Sequence, residues 1–166
     1  VIWVIVLLGL QILKNKIKVP KKLKNYFAQK YYLPDIQIKL TNKLLNFANS
    51  SIDLSDGLID DLSKMLNRQN LSFSINENKI PISNNLLKIT KMKTLKKIKL
   101  VSNGDDYQIL FTASKDKSRI IAQTSKNLGI KISKIGKICS HKKRSVIIDE
   151  KGEEIQLKSK GYVHQF

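Results

Sequence analysis

The chain has 166 residues and a hydrophobic share of 42%, which suits one folded domain with a real core and excludes a disordered chain. Its net charge of +18 first suggests nucleic acid. Only Arg68, Arg119 and Arg144 are arginines, however, and the lysines are scattered along a chain crowded with Ile and Asn, as an AT-rich coding sequence produces; nucleic acid is not expected as the main partner.

Val1 to Leu8 is rich in Val and Ile and predicts a buried strand. The apolar run reaches only to Leu13, too short for a membrane helix of about 20 residues, and its positive charges follow rather than precede it. No membrane association is expected. The run and the absent initiator Met lead us to expect a truncated chain. Leu10, Ile12, Leu13 and Ile17 suit a short helix stopped by Pro20. Lys21 to Tyr32 predicts a second helix, and Ile36 to Asn49 a third. Ser50 to Leu54 predicts a strand, Asp56-Gly57 a turn, and Leu58, Ile59, Leu62, Met65 and Leu66 an apolar helical stripe.

Leu71 to Ile75 alternates as a half-buried strand does. Ile80-Pro81-Ile82-Ser83 is extended, and Leu86 to Met92 suits a helix. Asn103-Gly104 is a turn signal before Tyr107 to Thr112, the clearest central strand. Asp116 to Leu128 predicts a helix capped by Gly129. Ile130 to Ile138 alternates, and Val146 to Ile148 with Ile155 to Leu157 frames a hairpin around Lys151-Gly152. The sum is an α+β fold of mixed layers, with helices packed on a mixed sheet. The one cysteine, Cys139, allows neither a disulfide nor a cysteine metal site and fits a free thiol in a reducing cytoplasm.

Two acidic clusters carry the candidate chemistry. On a strand end, Asp53 and Ser55 point to one side; Asp56 sits at the turn, and Gly57 permits a tight backbone. The helix that follows offers N–H groups and a positive dipole end to an anion such as phosphate. Carboxylates beside phosphate require a cation between them, and Mg²⁺ takes oxygen ligands of this kind. The ordinary alternative is an N-cap and a common Asp-Gly turn. The second cluster is Asn103-Gly104-Asp105-Asp106-Tyr107, whose ordinary reading is an acidic turn capping a strand.

Ser51-Ile52-Asp53-Leu54-Ser55-Asp56-Gly57-Leu58, followed by Asp61-Leu62, resembles a motif of the thiamine-monophosphate kinases. Asn103 to Thr112 is similar to their second motif, and Lys79 to Ser83, Lys134 to Ile138 and Gly161 to Phe166 resemble three further segments in the same order. Asn103 replaces a Gly of that pattern, an extra residue precedes Phe166, and Val4 to Leu8 stands where a Gly-Asp turn is expected.

The resemblance implies the C-terminal domain of the aminoimidazole ribonucleotide synthetase-like fold. Residues 1–18 would be the remnant of a linking strand and helix after an absent N-terminal ATP-binding domain, and 19–166 the kinase domain. It implies transfer of the γ-phosphoryl of ATP to thiamine monophosphate in the cytoplasm, with Mg²⁺, by a full-length homodimer. Asp53 and Asp56 would be Mg²⁺ ligands and Ser55 would contact ATP phosphates. Asp105 and Tyr162 would contact the substrate, and no residue is assigned as catalytic. Without its other half the chain is expected to be inactive. The competing reading is a stand-alone basic α/β domain that binds nucleotides or nucleic acid.

Overall fold

Ile5–Leu13 is a helix, α1, not the end of a strand. Leu8 and Ile12, one helical turn apart, are both buried in the main core. Gly9 lies between them, so close to α2 (Lys21–Tyr32) that a Cβ there would stand 2.6 Å from the Phe27 carbonyl oxygen. Helix packing therefore overrides the strand preference of the β-branched side chains. The computed structural model describes residues 5–93, 108–140 and 143–155, so the rest of the expected strand, Val1 to Val4, lies outside it.

Pro20 precedes α2 with φ −56°, a value its ring already favours. Leu23 and Phe27 form the buried face of α2, one turn apart. α3 (Ile38–Leu44) is shorter than the spacing predicts. Leu40, Leu44 and Phe47 are buried as a second, smaller core, while Leu45 is 93% exposed. The Phe47 ring meets that of Phe111 at 5.3 Å.

The site is carried by one strand and one helix. β1 (Ser50–Asp53) pairs antiparallel with β3 (Ile109–Thr112), with Ser50 opposite Thr112 and Asp53 opposite Ile109. A 2.8 Å hydroxyl–hydroxyl hydrogen bond between Ser50 and Thr112 secures the register. α4 (Leu58–Leu66) buries Leu58, Ile59, Leu62 and Leu66, the stripe its sequence predicts. These residues share the main core with Leu54, Phe73 and Ile75. Burial of each such side chain contributes about 1.5–3 kcal/mol, so α4 is fixed by its apolar face rather than by propensity.

β2 (Leu71–Asn76) is the centre of a three-stranded sheet. It pairs antiparallel with β4 (Gly136–Ser140) and parallel with β5 (Val146–Ile148). The alternating stretch Ile130 to Ile138 becomes strand only from Gly136, where an added Cβ would run into the Ser74 carbonyl oxygen. Ser72, on the expected solvent side, is buried and donates to the Ser140 carbonyl at 2.9 Å. α5 (Asn84–Lys93) is capped by Ser83, whose hydroxyl oxygen accepts from the Leu86 N–H. α6 (Ser118–Leu128) follows a 3₁₀ turn over Lys115–Lys117 and ends at Gly129, φ 64°. The turn at Gly152 is present, and the Ile155 N–H donates to the Ile147 carbonyl at 2.8 Å; Gln156 and Leu157 of the expected second strand lie outside the described residues. The fold is α+β, with helices beside an antiparallel strand pair and a mixed three-stranded sheet among the described residues. No helix of the described residues is long and apolar enough to cross a membrane.

Candidate metal and phosphate site

β1 delivers the chain to the start of α4 through Leu54-Ser55-Asp56-Gly57. Leu54 is buried, and its N–H donates to the Gln108 carbonyl at 2.9 Å, so strand pairing extends past the named strand. Asp53 and Ser55, on either side of it, are both exposed, as strand alternation requires. Gly57 then takes φ 120° and ψ 156°, a conformation essentially confined to glycine, and α4 begins at the next residue.

The turn is not held by the N-cap its sequence suggests. Gly57 occupies the cap position and has no side chain to offer. Asp61 does the work from inside α4. Its Oδ2 accepts from the N–H groups of Ser55, Asp56 and Gly57 at 2.9, 3.0 and 3.1 Å. Asp61 is 1% exposed, so these charge-assisted bonds replace its hydration. Those three donors precede α4 and are already taken; the first N–H groups of α4 itself, which sequence reasoning offers to an anion, are not among them.

The carboxylates of Asp56, Asp60 and Asp61 converge, with ligand oxygens all within 4.8 Å of one another. Lys64, two turns into α4, supplies a cation to all three. Its ammonium donates to Asp56, lies 2.7 Å from Asp60 Oδ2 and 3.7 Å from Asp61 Oδ1. Hydrogen bonding to Asp56 and then Asp60 holds the Lys64 pKa well above its ordinary value, against a smaller opposing effect of burial. One ammonium against three carboxylates leaves the cluster net acidic, at the positive end of α4.

This donor set suits Mg²⁺. Oxygens at opposite corners of a magnesium octahedron stand about 4.2 Å apart, so small side-chain movements would close the cluster on an ion. Asp56 and Asp60 are partly exposed and could turn toward one; Asp61 is committed through Oδ2. Of the residues singled out in the sequence, the structure brings Asp56 and Ser55 together on the turn. Asp53 stands at the end of β1, outside the three-carboxylate group. Asp105 and Tyr162 lie outside the described residues, as do Asn103 to Tyr107 of the first motif and all of Gly161 to Phe166; Gln108 to Thr112 are described and form the strand end and β3 that pair with β1.

Sequence reasoning passed over Asp60 and Lys64 and gave Asp61 no role. The signals were present: Asp60 and Lys64 are an i,i+4 pair, and two acids stand in the first turn of a helix. A cleft of about 830 Å³ elsewhere is lined mainly by apolar residues, among them Leu62, Phe111, Ile121 and Ile132. Lys115, Lys134 and Lys137 also line it, but no carboxylate does, so it offers no oxygen ligands of that kind to a metal, and the acidic turn is the better candidate for a metal site.

No protein-family model matches the sequence, and no curated protein matches it. Solved structures do share the fold. AaThiL complexed with AMPPCP and TMP matches with a TM-score of 0.78 and 23% identity, over 99% of this chain and 49% of that one. Thiamine-monophosphate kinase from Stenotrophomonas maltophilia matches at 0.76 and 21%, over 93% of this chain and 49% of that one. HypE of E. coli, a hydrogenase maturation protein, matches at 0.60 and 11%, over 80% of this chain and 44% of that one. The chain spans about half the length of the structures it resembles, and the fold extends to a protein of another description.

Proposed function

We propose that the chain forms the C-terminal half of an ATP-dependent phosphotransferase site that makes thiamine diphosphate from thiamine monophosphate. The observation that carries the proposal is the Ser55-Asp56-Gly57 turn. It is locked at the start of α4 beside a three-carboxylate cluster, in a fold shared with thiamine-monophosphate kinases. Fold alone does not fix chemistry; the site must supply the specificity.

In this reading Asp53 and Asp56 would hold Mg²⁺, and Ser55 would present its hydroxyl to the ATP phosphates. Bound there, Mg²⁺ would neutralise charge on the transferring phosphoryl group. The residues of this chain act by placement: they fix where oxygen ligands stand and keep phosphate from meeting bare carboxylates. Asp105 would receive the cationic thiamine portion, and Tyr162 would offer a ring for stacking. A reducing cytoplasm suits the lone thiol of Cys139.

The test is a calorimetric titration of the chain with AMPPCP, with and without millimolar Mg²⁺. Binding that needs Mg²⁺, and that weakens about tenfold or more in Ser55→Ala, supports the role given to Ser55. Binding indifferent to both would remove the phosphate reading of the turn.

A further inference from the structure

Asp61 has a use that ordinary capping does not explain. An acid in the first turn of a helix normally sits at the surface and interacts with the dipole through space. Asp61 is instead almost wholly buried, and one of its oxygens gathers three consecutive backbone N–H groups. Two of those groups belong to Ser55 and Asp56, the residues proposed to meet phosphate and metal. The third belongs to Gly57, whose φ of 120° the turn must sustain. The Asp61 N–H itself donates to the Gly57 carbonyl at 3.0 Å, so the turn and the helix grip one another from both sides.

We infer that Asp61 is a positioning residue: its buried carboxylate locks the Ser55–Gly57 backbone and so sets where the Ser55 hydroxyl and the Asp56 carboxylate stand. A buried carboxylate with no such donors would be costly, so burial and the three bonds explain each other. The alternative is that Asp61 merely stabilises α4. That role would need neither the burial nor donors from three residues that precede the helix. The inference about the backbone lock stands on this geometry; its consequence for ligand binding rests on the function proposed above.

The test compares wild type with Asp61→Asn, which keeps the shape and one acceptor oxygen, and with Asp61→Ala, which keeps neither. Leu62→Ala, a buried neighbour on α4 outside the site, controls for loss of stability alone. Two quantities are read: hydrogen exchange at the amides of residues 55–57 relative to those of β1 and β3, and affinity for Mn²⁺ as a probe of the Mg²⁺ site. We expect exchange at the three amides to rise about tenfold in Asp61→Ala and by less in Asp61→Asn, with Mn²⁺ affinity falling in the same order. Leu62→Ala should lower the melting temperature and leave both readouts as in wild type. Unchanged relative exchange in a folded Asp61→Asn would overturn the inference, as would a Leu62→Ala protein that reproduces both changes. If Asp61→Ala does not fold, Asp61→Asn decides. If exchange rises but no form binds Mn²⁺, the lock stands and the metal role of Asp56 fails.

Discussion

Lys64 reaches back along α4 to form an ion pair with Asp56, and so places an ammonium among three converging carboxylates. It stands where a divalent cation would otherwise be attracted. Lys64 is half-exposed, so its contribution is modest and screened by salt within about 10 Å at 0.1 M.

We expect Lys64→Met to bind Mn²⁺ roughly fivefold more tightly at low ionic strength, the scale of one exposed ion pair. The gain should shrink as salt rises. The pH dependence has a definite sign. The Lys64 pKa is raised in the folded protein, so its stabilising effect is complete below the ordinary value of 10.5 and is lost only as pH climbs above it. Between neutrality and pH 9, replacing Lys64 should therefore change stability by a constant amount. A difference that grows across that range in paired melting curves would contradict the ion-pair assignment.

Gly57 carries the backbone strain of the turn. At φ 120° and ψ 156°, any side chain costs about 1–3 kcal/mol. Gly57→Ala should lower the melting temperature by about 2–4 °C for each kcal/mol lost. Exchange at residues 55–57 should rise in the same variant. A melting curve identical to wild type would show that the turn takes another conformation.

Gly9→Ala tests the contact of α1 with α2. Alanine favours a helix over glycine by about 0.8–1.0 kcal/mol, which alone would stabilise α1. The new Cβ, however, would stand 2.6 Å from the Phe27 carbonyl oxygen and 2.9 Å from the Tyr31 Cβ. Both are on a rigid helix, so the overpacking cost of about 1–3 kcal/mol should win. We expect a net loss of stability in urea unfolding; a gain would mean that the two helices separate easily.

Much of this architecture is legible in the sequence. The bounds of α2 follow from Pro20 and from apolar spacing, and the α4 stripe is visible in Leu58, Ile59, Leu62 and Leu66. Gly129 announces the end of α6. What escapes is tertiary. Ile5–Leu8 reads as strand because β-branching is a local signal, whereas its helix is set by burial against Phe27. Leu45 fits a helical pattern yet is exposed, since periodicity cannot say where a core ends.

The site divides in the same way. Ser55, Asp56 and Gly57 were conspicuous as a turn, and the expected default was an N-cap. The turn is instead held by Asp61, inside the helix, and no short-range rule for capping residues looks in that direction. Asp60 and Lys64 stand at the spacing of an ordinary helix-face pair, and their meeting with Asp56 depends on how the turn folds back.

Asp53 and Asp56 should differ in their structural weight. Asp53 is exposed at a strand end, whereas Asp56 is bonded to Lys64. Changing either to Asn should leave the melting temperature within a few degrees, because exposed polar substitutions usually cost about 0.5 kcal/mol or less. Loss of folding in either variant, seen by circular dichroism, would assign them structural roles instead.

The most direct measurement is calorimetric binding of thiamine diphosphate by the chain, with Mg²⁺ present and absent, in wild type and Asp56→Asn, alongside a DNA titration at rising salt. We expect Mg²⁺-dependent binding that falls about tenfold or more in Asp56→Asn, with any DNA binding weak. No Mg²⁺-dependent binding of thiamine diphosphate, together with DNA binding that collapses as salt rises, would contradict the kinase reading and favour a basic nucleic-acid-binding domain.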